Sequence, residues 1–188
     1  MKRKSATAYG NHYQNGYLGG DLSGTGWGLK WDYIIIHESG HEWFANNITT
    51  NDIADMWVHE GFTMYSEALF VEYHYGKKAA DEYVQGIRNN ISNDRPLIGR
   101  YGVNKEGSGD MYNKGANLLH TIRQVIDDDS VFRKILRGLN KDFYHQTVDS
   151  KDVEVYFSKV SGKDISKIFD QYLRTTKIPV LEYTTCLL

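Results

Sequence analysis

Ile34-Ile35-Ile36-His37-Glu38-Ser39-Gly40-His41 is the stretch of this 188-residue sequence that most constrains its fold and its chemistry. It lies in a segment, residues 29–46, whose apolar residues recur at helical spacing. Because the two histidines are four residues apart, both imidazoles fall on one helical face, where they can share a tetrahedral ion at roughly 2.0–2.1 Å. Glu38 points in another direction and lies where it can take a proton from water beside the ion.

Glu60 supplies a third candidate ligand, separated from His41 by 18 residues and placed in a second helical segment, residues 55–75. A catalytic zinc has three protein ligands and an open position, and an acidic residue on a neighbouring helix is the usual third ligand. The sequence therefore predicts one Zn²⁺ per chain on His37, His41 and Glu60, with Glu38 as general base. The alternative is that the two histidines are solvated or core residues one turn apart.

The rest of the chain is predicted to be mainly helical, because apolar residues keep recurring at helical intervals. Helices are predicted at residues 77–91, 118–126, 131–139, 153–160 and 165–173, with extended pieces at 5–9 and 179–185. Long loops at 10–28 and 92–110 separate them, and loops of that length in compact domains are often functional. Gly162 is predicted to end one helix and Asp164 to cap the next. The predicted fold class is mainly α (α+β), with few short strands, in a single domain.

The composition argues against several classes of partner. With 22 basic and 24 acidic residues, the chain has no positive excess that would attract nucleic acid or an acidic membrane surface. No stretch approaches the roughly 20 apolar residues of a membrane span, and no apolar signal segment follows the first four residues. Cys186 is the only cysteine, which excludes an intramolecular disulfide and a thiolate metal site. We expect a soluble chain, and the compartment cannot be deduced from the sequence.

Three motifs follow one another along the chain: HESGHEWFAN at 37–46, DMWVHEGFTMYSE at 55–67 and YNKG at 112–115. In this order and spacing they resemble the gluzincin aminopeptidase family that includes aminopeptidase N. The resemblance implies a thermolysin-like zinc metallopeptidase catalytic domain that hydrolyses peptide bonds. It implies zinc on His37, His41 and Glu60, Glu38 as base, and Tyr112 as the phenol that stabilises the tetrahedral intermediate.

Five further residues have expected roles around this site. Glu67 lies two helical turns after Glu60 and is a candidate acceptor for the N–H of a ligand imidazole, with Asn46 a weaker candidate. For both, an ordinary position on the helix surface or at a helix end is the alternative. Gly115 is expected to permit close approach near a helix start, and Lys114 to be a solvated charge. His59 replaces the family's usual asparagine and is expected to be a packed or solvated imidazole rather than a ligand.

The start of the chain departs from the family pattern. A G-x-M-E-N motif, whose glutamate helps to bind the substrate's α-amine, is absent; if Met1 takes its methionine position, Lys2 replaces that glutamate. We therefore expect residues 1–188 to be a single catalytic domain, truncated at its N-terminal side relative to the family.

The expected partner is a peptide substrate, with no nucleic acid, and self-association through surface exposed by the truncation is possible. Endo- or exopeptidase mode stays open. Two alternatives remain, an epoxide or ester hydrolase on the same zinc site and a non-catalytic zinc-binding interaction fragment.

Overall fold

The computed structural model describes residues 9–178 and residue 180, and this part of the chain is mainly helical. Its α-helices are α1 Tyr33–Gly40, α2 Trp57–Tyr75, α3 Lys77–Arg88, α4 Asn113–Ile126, α5 Asp129–Asp142, α6 Ser150–Ser161 and α7 Ser166–Arg174. Short 3-10 turns at Trp27–Lys30, Ile53–Asp55 and Gly109–Met111 precede α1, α2 and α4. The predicted mainly α fold class is confirmed, and none of these helices is long and apolar enough to cross a bilayer.

Several sequence predictions concern residues that are not described. The extended pieces predicted at 5–8 and at 179 and 181–185 lie outside the described residues, as does the assignment of Lys2 to the position of the family's glutamate.

Two three-residue strands, β1 Ile48–Thr50 and β2 Gln146–Val148, pair in parallel with Thr49 opposite Thr147. The backbone N–H of Thr50 donates a hydrogen bond to Nε2 of His59 at 3.0 Å, and this bond connects β1 to α2. Strands of three residues are too short to display an alternating pattern, so the sequence predicted few strands without locating these two.

The helix predicted at 29–46 is shorter in the structure. α1 begins after Asp32, whose side chain accepts a backbone hydrogen bond from the first turn, and it ends just before His41. His41 keeps helical dihedral angles (φ −63°, ψ −13°) as the C-terminal cap. The chain then turns because Phe44 enters the core and Ala45 has a φ of 152°, which an α-helix does not allow.

Other helix ends follow local capping chemistry. Gly162 has a φ of 69° at the end of α6, as predicted from its freedom to adopt left-handed angles. The prediction of Asp164 as the N-cap of α7 is wrong by one residue, because Ile165 occupies that position. Asp164 lies just before it, and its Oδ1 accepts from the N–H of Ser166 at 3.1 Å. α3 ends at Arg88 rather than at residue 91.

Helix α2 lies at the centre of the hydrophobic core and packs against α1, α3 and α4. Its aromatic side chains Trp57, Phe62 and Tyr65 are almost completely buried. On α4, the guanidinium of Arg123 donates to both carboxylate oxygens of Glu72, one of them at 2.9 Å. Because a bidentate pair fixes direction as well as distance, it holds α4 in register with α2.

Two glycines allow α2 and α4 to approach each other backbone to backbone. A Cβ atom on Gly115 would lie 2.9 Å from Gly61 Cα, and a Cβ atom on Gly61 would lie 3.1 Å from Gly115 Cα. The close approach predicted at Gly115 is thus confirmed. Gly61 directly follows Glu60, and Gly115 lies in the first turn of the helix that begins after Tyr112. The crossing of α2 and α4 therefore sets how near the side chains of Glu60 and Tyr112 come to each other.

Gly115→Ala is expected to lower the free energy of unfolding by about 1–3 kcal/mol, because the added methyl group would overlap the Gly61 backbone. This loss exceeds the gain of at most about 1 kcal/mol in helix propensity. Chemical denaturation measures the change. Gly138→Ala on α5 is the control, since its Cβ would meet the hydroxyl end of the Tyr156 side chain and no backbone, and moving that side chain gives up only an exposed hydrogen bond to Asp142. Equal losses in the two variants would contradict the proposed backbone contact.

Candidate metal centre

Three candidate ligand atoms converge between α1 and α2. The Nε2 atoms of His37 and His41 each lie 3.3 Å from Oε2 of Glu60, and the three atoms all lie within 4.8 Å of one another. Two donors at about 2.0–2.1 Å from a shared tetrahedral ion would be roughly 3.4 Å apart. The residues that the sequence selected as ligands are therefore brought together at distances that suit one small metal ion.

The outer nitrogens of both imidazoles are held by acceptors. His37 Nδ1 lies 2.7 Å from Oε1 of Glu67, and His41 Nδ1 lies 3.1 Å from the carbonyl oxygen of Phe44. The hydroxyl of Thr63 lies equally close to His41 Nδ1, at 3.1 Å. Since the carbonyl oxygen of Phe44 can only accept, its contact is satisfied when Nδ1 of His41 carries the hydrogen, and the hydroxyl can then accept as well. Each ring therefore presents Nε2 toward Glu60, which is the arrangement that such outer contacts impose on ligand histidines.

The charges at the site favour a cation. Burial disfavours a charged His37, yet its hydrogen bonds with Glu60 and Glu67 raise its pKa to about 9. Burial likewise disfavours a charged Glu60, but hydrogen bonds from His37 and His41 lower its pKa to about 2. Buried carboxylates thus stabilise positive charge at this point. Two imidazole nitrogens and one carboxylate oxygen form a donor set that fits zinc.

Glu67 is completely buried, and its carboxylate meets three groups that can donate. Besides the contact with His37, its Oε2 accepts a hydrogen bond from the hydroxyl of Tyr83 at 2.5 Å. Burial raises the pKa of Glu67, and hydrogen bonds with His37, Tyr83 and Tyr33 oppose that rise, so its negative charge depends on these three donors. The contact predicted for Glu67 is present. Tyr83 lies on α3 and has no motif to distinguish it among 14 tyrosines, so sequence reasoning missed it.

Glu38 and Tyr112 both line an open cleft of about 600 Å³ beside His37. Glu38 Oε2 is shielded from solvent and has no hydrogen-bond partner among the described residues. The ring of Tyr112 lies 5.9 Å from that of His37, and burial followed by the charge of Glu60 raises the pKa of its phenol. Tyr112 therefore keeps its proton and can act as a donor in the cleft.

The glycine-rich loop predicted at 10–28 forms part of this cleft. Three of its residues line the same cleft as Glu38, namely Tyr17, Asp21 and Leu22. The sequence indicated that a loop of this length is often functional, but it could not show which residues would face the site. The remaining lining residues are Tyr33, Ile34, Met64, Asn90 and Asn113.

Three polar residues within the motifs lie outside the candidate ligand group, and the structure shows what each of them contacts. His59 is buried, and its Nε2 accepts a hydrogen bond from the backbone N–H of Thr50. Burial lowers the pKa of His59 to about 4. It is therefore a packed imidazole outside the candidate ligand group, as expected. Asn46 donates to Glu42 Oε2 at 3.2 Å instead of serving an imidazole. The prediction that Lys114 is a solvated charge is wrong: only 6% of it is exposed, because α4 packs its side chain beneath the segment that follows α7.

A sequence profile described as "Peptidase family M1 domain" matches residues 29–172, which is most of the chain. The chain belongs to peptidase family M1. This membership confirms the resemblance to the gluzincin aminopeptidases, and the motifs that carried the resemblance, HExxH, the glutamate-bearing helix and YNKG, all fall within the matched part of the M1 domain.

The M1 relatives are much longer than this chain. Aminopeptidase Q of Acinonyx jubatus is 26% identical over 171 residues, covering 79% of this chain and 17% of the relative. Aminopeptidase N of Lactococcus lactis is 24% identical over 166 residues, covering 79% of this chain and 19% of the relative. The chain therefore spans about a fifth of the length of these curated relatives.

Solved M1 structures share the fold. The M1 zinc metallopeptidase of Deinococcus radiodurans is 26% identical, with a TM-score of 0.65 over 85% of this chain and 36% of that chain. Yeast LTA4 hydrolase reaches a TM-score of 0.65 over 80% of this chain and 27% of its own, at 18% identity, which shows a common fold and nothing about a common reaction.

Proposed function

We propose that this chain is a catalytic domain of a zinc-dependent peptidase that holds one Zn²⁺ through His37, His41 and Glu60. The observation that carries the proposal is the convergence of these donors, with their outer nitrogens held, near Glu38, whose Oε2 has no hydrogen-bond partner among the described residues. The names of the relatives, aminopeptidases and an M1 zinc metallopeptidase, support the same activity. We further propose that residues 1–188 act as one domain.

The proposed roles follow from the positions of the side chains. When bound, zinc supplies Lewis acidity that polarises the scissile carbonyl and activates water near neutral pH. Glu38 accepts the proton of the attacking water and then delivers it to the leaving nitrogen. The phenol of Tyr112 donates a hydrogen bond to the carbonyl oxygen as negative charge develops on that oxygen. The substrate is a peptide lying in the cleft that His37, Glu38 and Tyr112 line.

The test measures both the metal content of the purified chain and its ability to cleave peptide substrates. Elemental analysis is expected to find one zinc per chain. Aminoacyl-arylamides and internally quenched peptides are expected to be cleaved, with activity lost on chelation and regained on adding zinc. Cleavage of the arylamides alone would indicate that a free α-amine is required, whereas cleavage of blocked, quenched peptides would indicate an endopeptidase.

Two results would contradict the proposal. Zinc at full occupancy without cleavage of any peptide would favour a non-catalytic interaction fragment. Absence of zinc from a folded chain, even after incubation with zinc, would contradict the ligand assignment itself.

Glu67→Gln is expected to weaken zinc binding by about 10–100-fold, which is typical of removing the partner of a ligand histidine. Glutamine can still contact Nδ1 of His37, but it brings no negative charge to hold the imidazole and the cation beyond it. Competition with a chromophoric chelator measures the dissociation constant.

Glu72→Gln is the matched control for this measurement. Glu72 lies on the same helix, but its partner is Arg123 rather than an imidazole. This variant is expected to lower thermal stability while leaving zinc affinity unchanged. If Glu72→Gln weakened zinc binding as much as Glu67→Gln, both substitutions would act by destabilising the fold, and a specific effect of Glu67 on His37 would be contradicted.

A further inference from the structure

A second cavity, of about 230 Å³, lies away from the metal centre between the end of α3, the start of α4 and the segment after α7. None of its lining residues lines the cleft beside His37. Among the described residues, its walls carry three cationic side chains, Arg88, Lys114 and Lys177, and no acidic side chain. Such a cluster requires an explanation because cations that share a cavity repel one another.

Lys114 is the buried member of this cluster. Only 6% of the residue is exposed, and its ammonium donates to Oδ1 of Asn93 at 2.8 Å and to the carbonyl oxygen of Thr175 at 2.9 Å. Both acceptors are neutral, and an ammonium has three hydrogens to donate. Within the described residues Lys114 forms no direct ion pair, and burial lowers its pKa against the opposing charges of Asp110 and Asp94. A buried cation is normally held by an anion in direct contact, and among the described residues Lys114 has no such contact.

Arg88 and Lys177 lie at the exposed rim of the same cavity. Arg88 uses Nε to donate to Oδ1 of Asn117 at 3.0 Å, and its terminal N–H groups make no hydrogen bond to described residues. Apolar atoms of Ile91, Tyr172 and other residues form most of the remaining wall. The cavity thus offers cationic donors together with an apolar surface.

We propose that this cavity binds a small organic carboxylate with an apolar body. The carboxylate contacts Lys114 and the guanidinium of Arg88, and the hydrocarbon part lies against Ile91 and Tyr172. The volume equals that of roughly eight water molecules at about 30 Å³ each, which suits an acid of about six carbons. The site is independent of the proposed peptidase activity, since it shares no residue with the cleft.

The experiment is an NMR titration of the zinc-loaded, isotope-labelled chain with hexanoate, hexanamide and hexylamine. Hexanoate is expected to shift the amide resonances of Ile91, Asn93 and Tyr172 and to bind about tenfold more tightly than hexanamide, because only the acid forms charge-assisted hydrogen bonds. Hexylamine is expected not to bind. Equal binding of acid and amide would overturn the proposal, and so would shifts confined to residues around His37 and Tyr112.

Variants at the rim make the test specific. Arg88→Gln is expected to weaken hexanoate binding by about tenfold, and Lys177→Gln by a smaller factor. Lys167→Gln, an exposed lysine outside the cavity, is the matched control and is expected to bind hexanoate as the parent chain does. Lys114→Met retains the aliphatic stem and is expected to abolish binding. If Lys114→Met fails to fold, Arg88→Gln decides the outcome, and unchanged affinity in that variant would overturn the proposal.

Discussion

Replacing Glu38 by glutamine is expected to lower kcat by about 10²–10⁴-fold while zinc stays bound. Glutamine has the same shape as glutamate but cannot accept the proton of the attacking water. Oε2 of Glu38 has no hydrogen-bond partner among the described residues, so the substitution removes no contact that the fold needs. Glu38 is also outside the group of candidate metal ligands. Steady-state kinetics on a cleaved peptide and elemental analysis of the same sample measure the two properties.

Glu106→Gln is the control for this substitution. Its carboxylate acts on Tyr112 only through its charge, and the residue is exposed. We expect kcat to change by less than about threefold, because exposed charges are strongly screened. Near-normal turnover in Glu38→Gln would exclude Glu38 as the base, and loss of zinc from that variant would give Glu38 a structural role instead.

Tyr112→Phe is expected to lower kcat by about 10²–10³-fold with a smaller change in KM, the usual effect of removing one oxyanion donor. A phenol whose hydrogen bond to the carbonyl oxygen strengthens as that oxygen becomes negative stabilises the transition state more than the bound substrate. The raised pKa of Tyr112 keeps its proton in place, and its ring lies beside that of His37. Phenylalanine retains this ring packing and loses only the hydrogen bond of the phenol to Glu60, so zinc content and thermal stability are expected to change little.

Tyr17→Phe provides the matched comparison in the same cleft. Tyr17 presents a half-exposed phenol whose ring packs edge-on against Tyr33 rather than against a candidate ligand. Its loss is expected to change kcat by less than about tenfold. Equal losses in the two variants would mean that the cleft needs phenols for substrate binding in general, and would contradict a specific role for Tyr112.

Local patterns account for the parts of the structure that the sequence predicted well. The two histidines one turn apart, and Glu67 two turns beyond Glu60, are related by the geometry of a single helix, so their directions follow from spacing alone. The long helix that carries Glu60 is recognisable because its apolar residues repeat at helical intervals over five turns.

Contacts between distant segments account for the parts that the sequence did not predict. Lys114 is buried by a segment that follows α7, and Tyr83 reaches Glu67 from a different helix. Neither contact leaves a local pattern. Tyr112 was selected through its family motif and not from its own surroundings, since a phenol's usefulness to an oxyanion does not distinguish one tyrosine from another.

The touching backbones at Gly61 and Gly115 have a consequence for transplanting this chemistry. A designer who copies the histidines, Glu60 and Tyr112 onto a bundle with ordinary helix spacing of about 8–10 Å would move the phenol away from the carboxylate. Host scaffolds should therefore be selected for a pair of helices that cross with glycine on both sides, before any reacting residue is introduced.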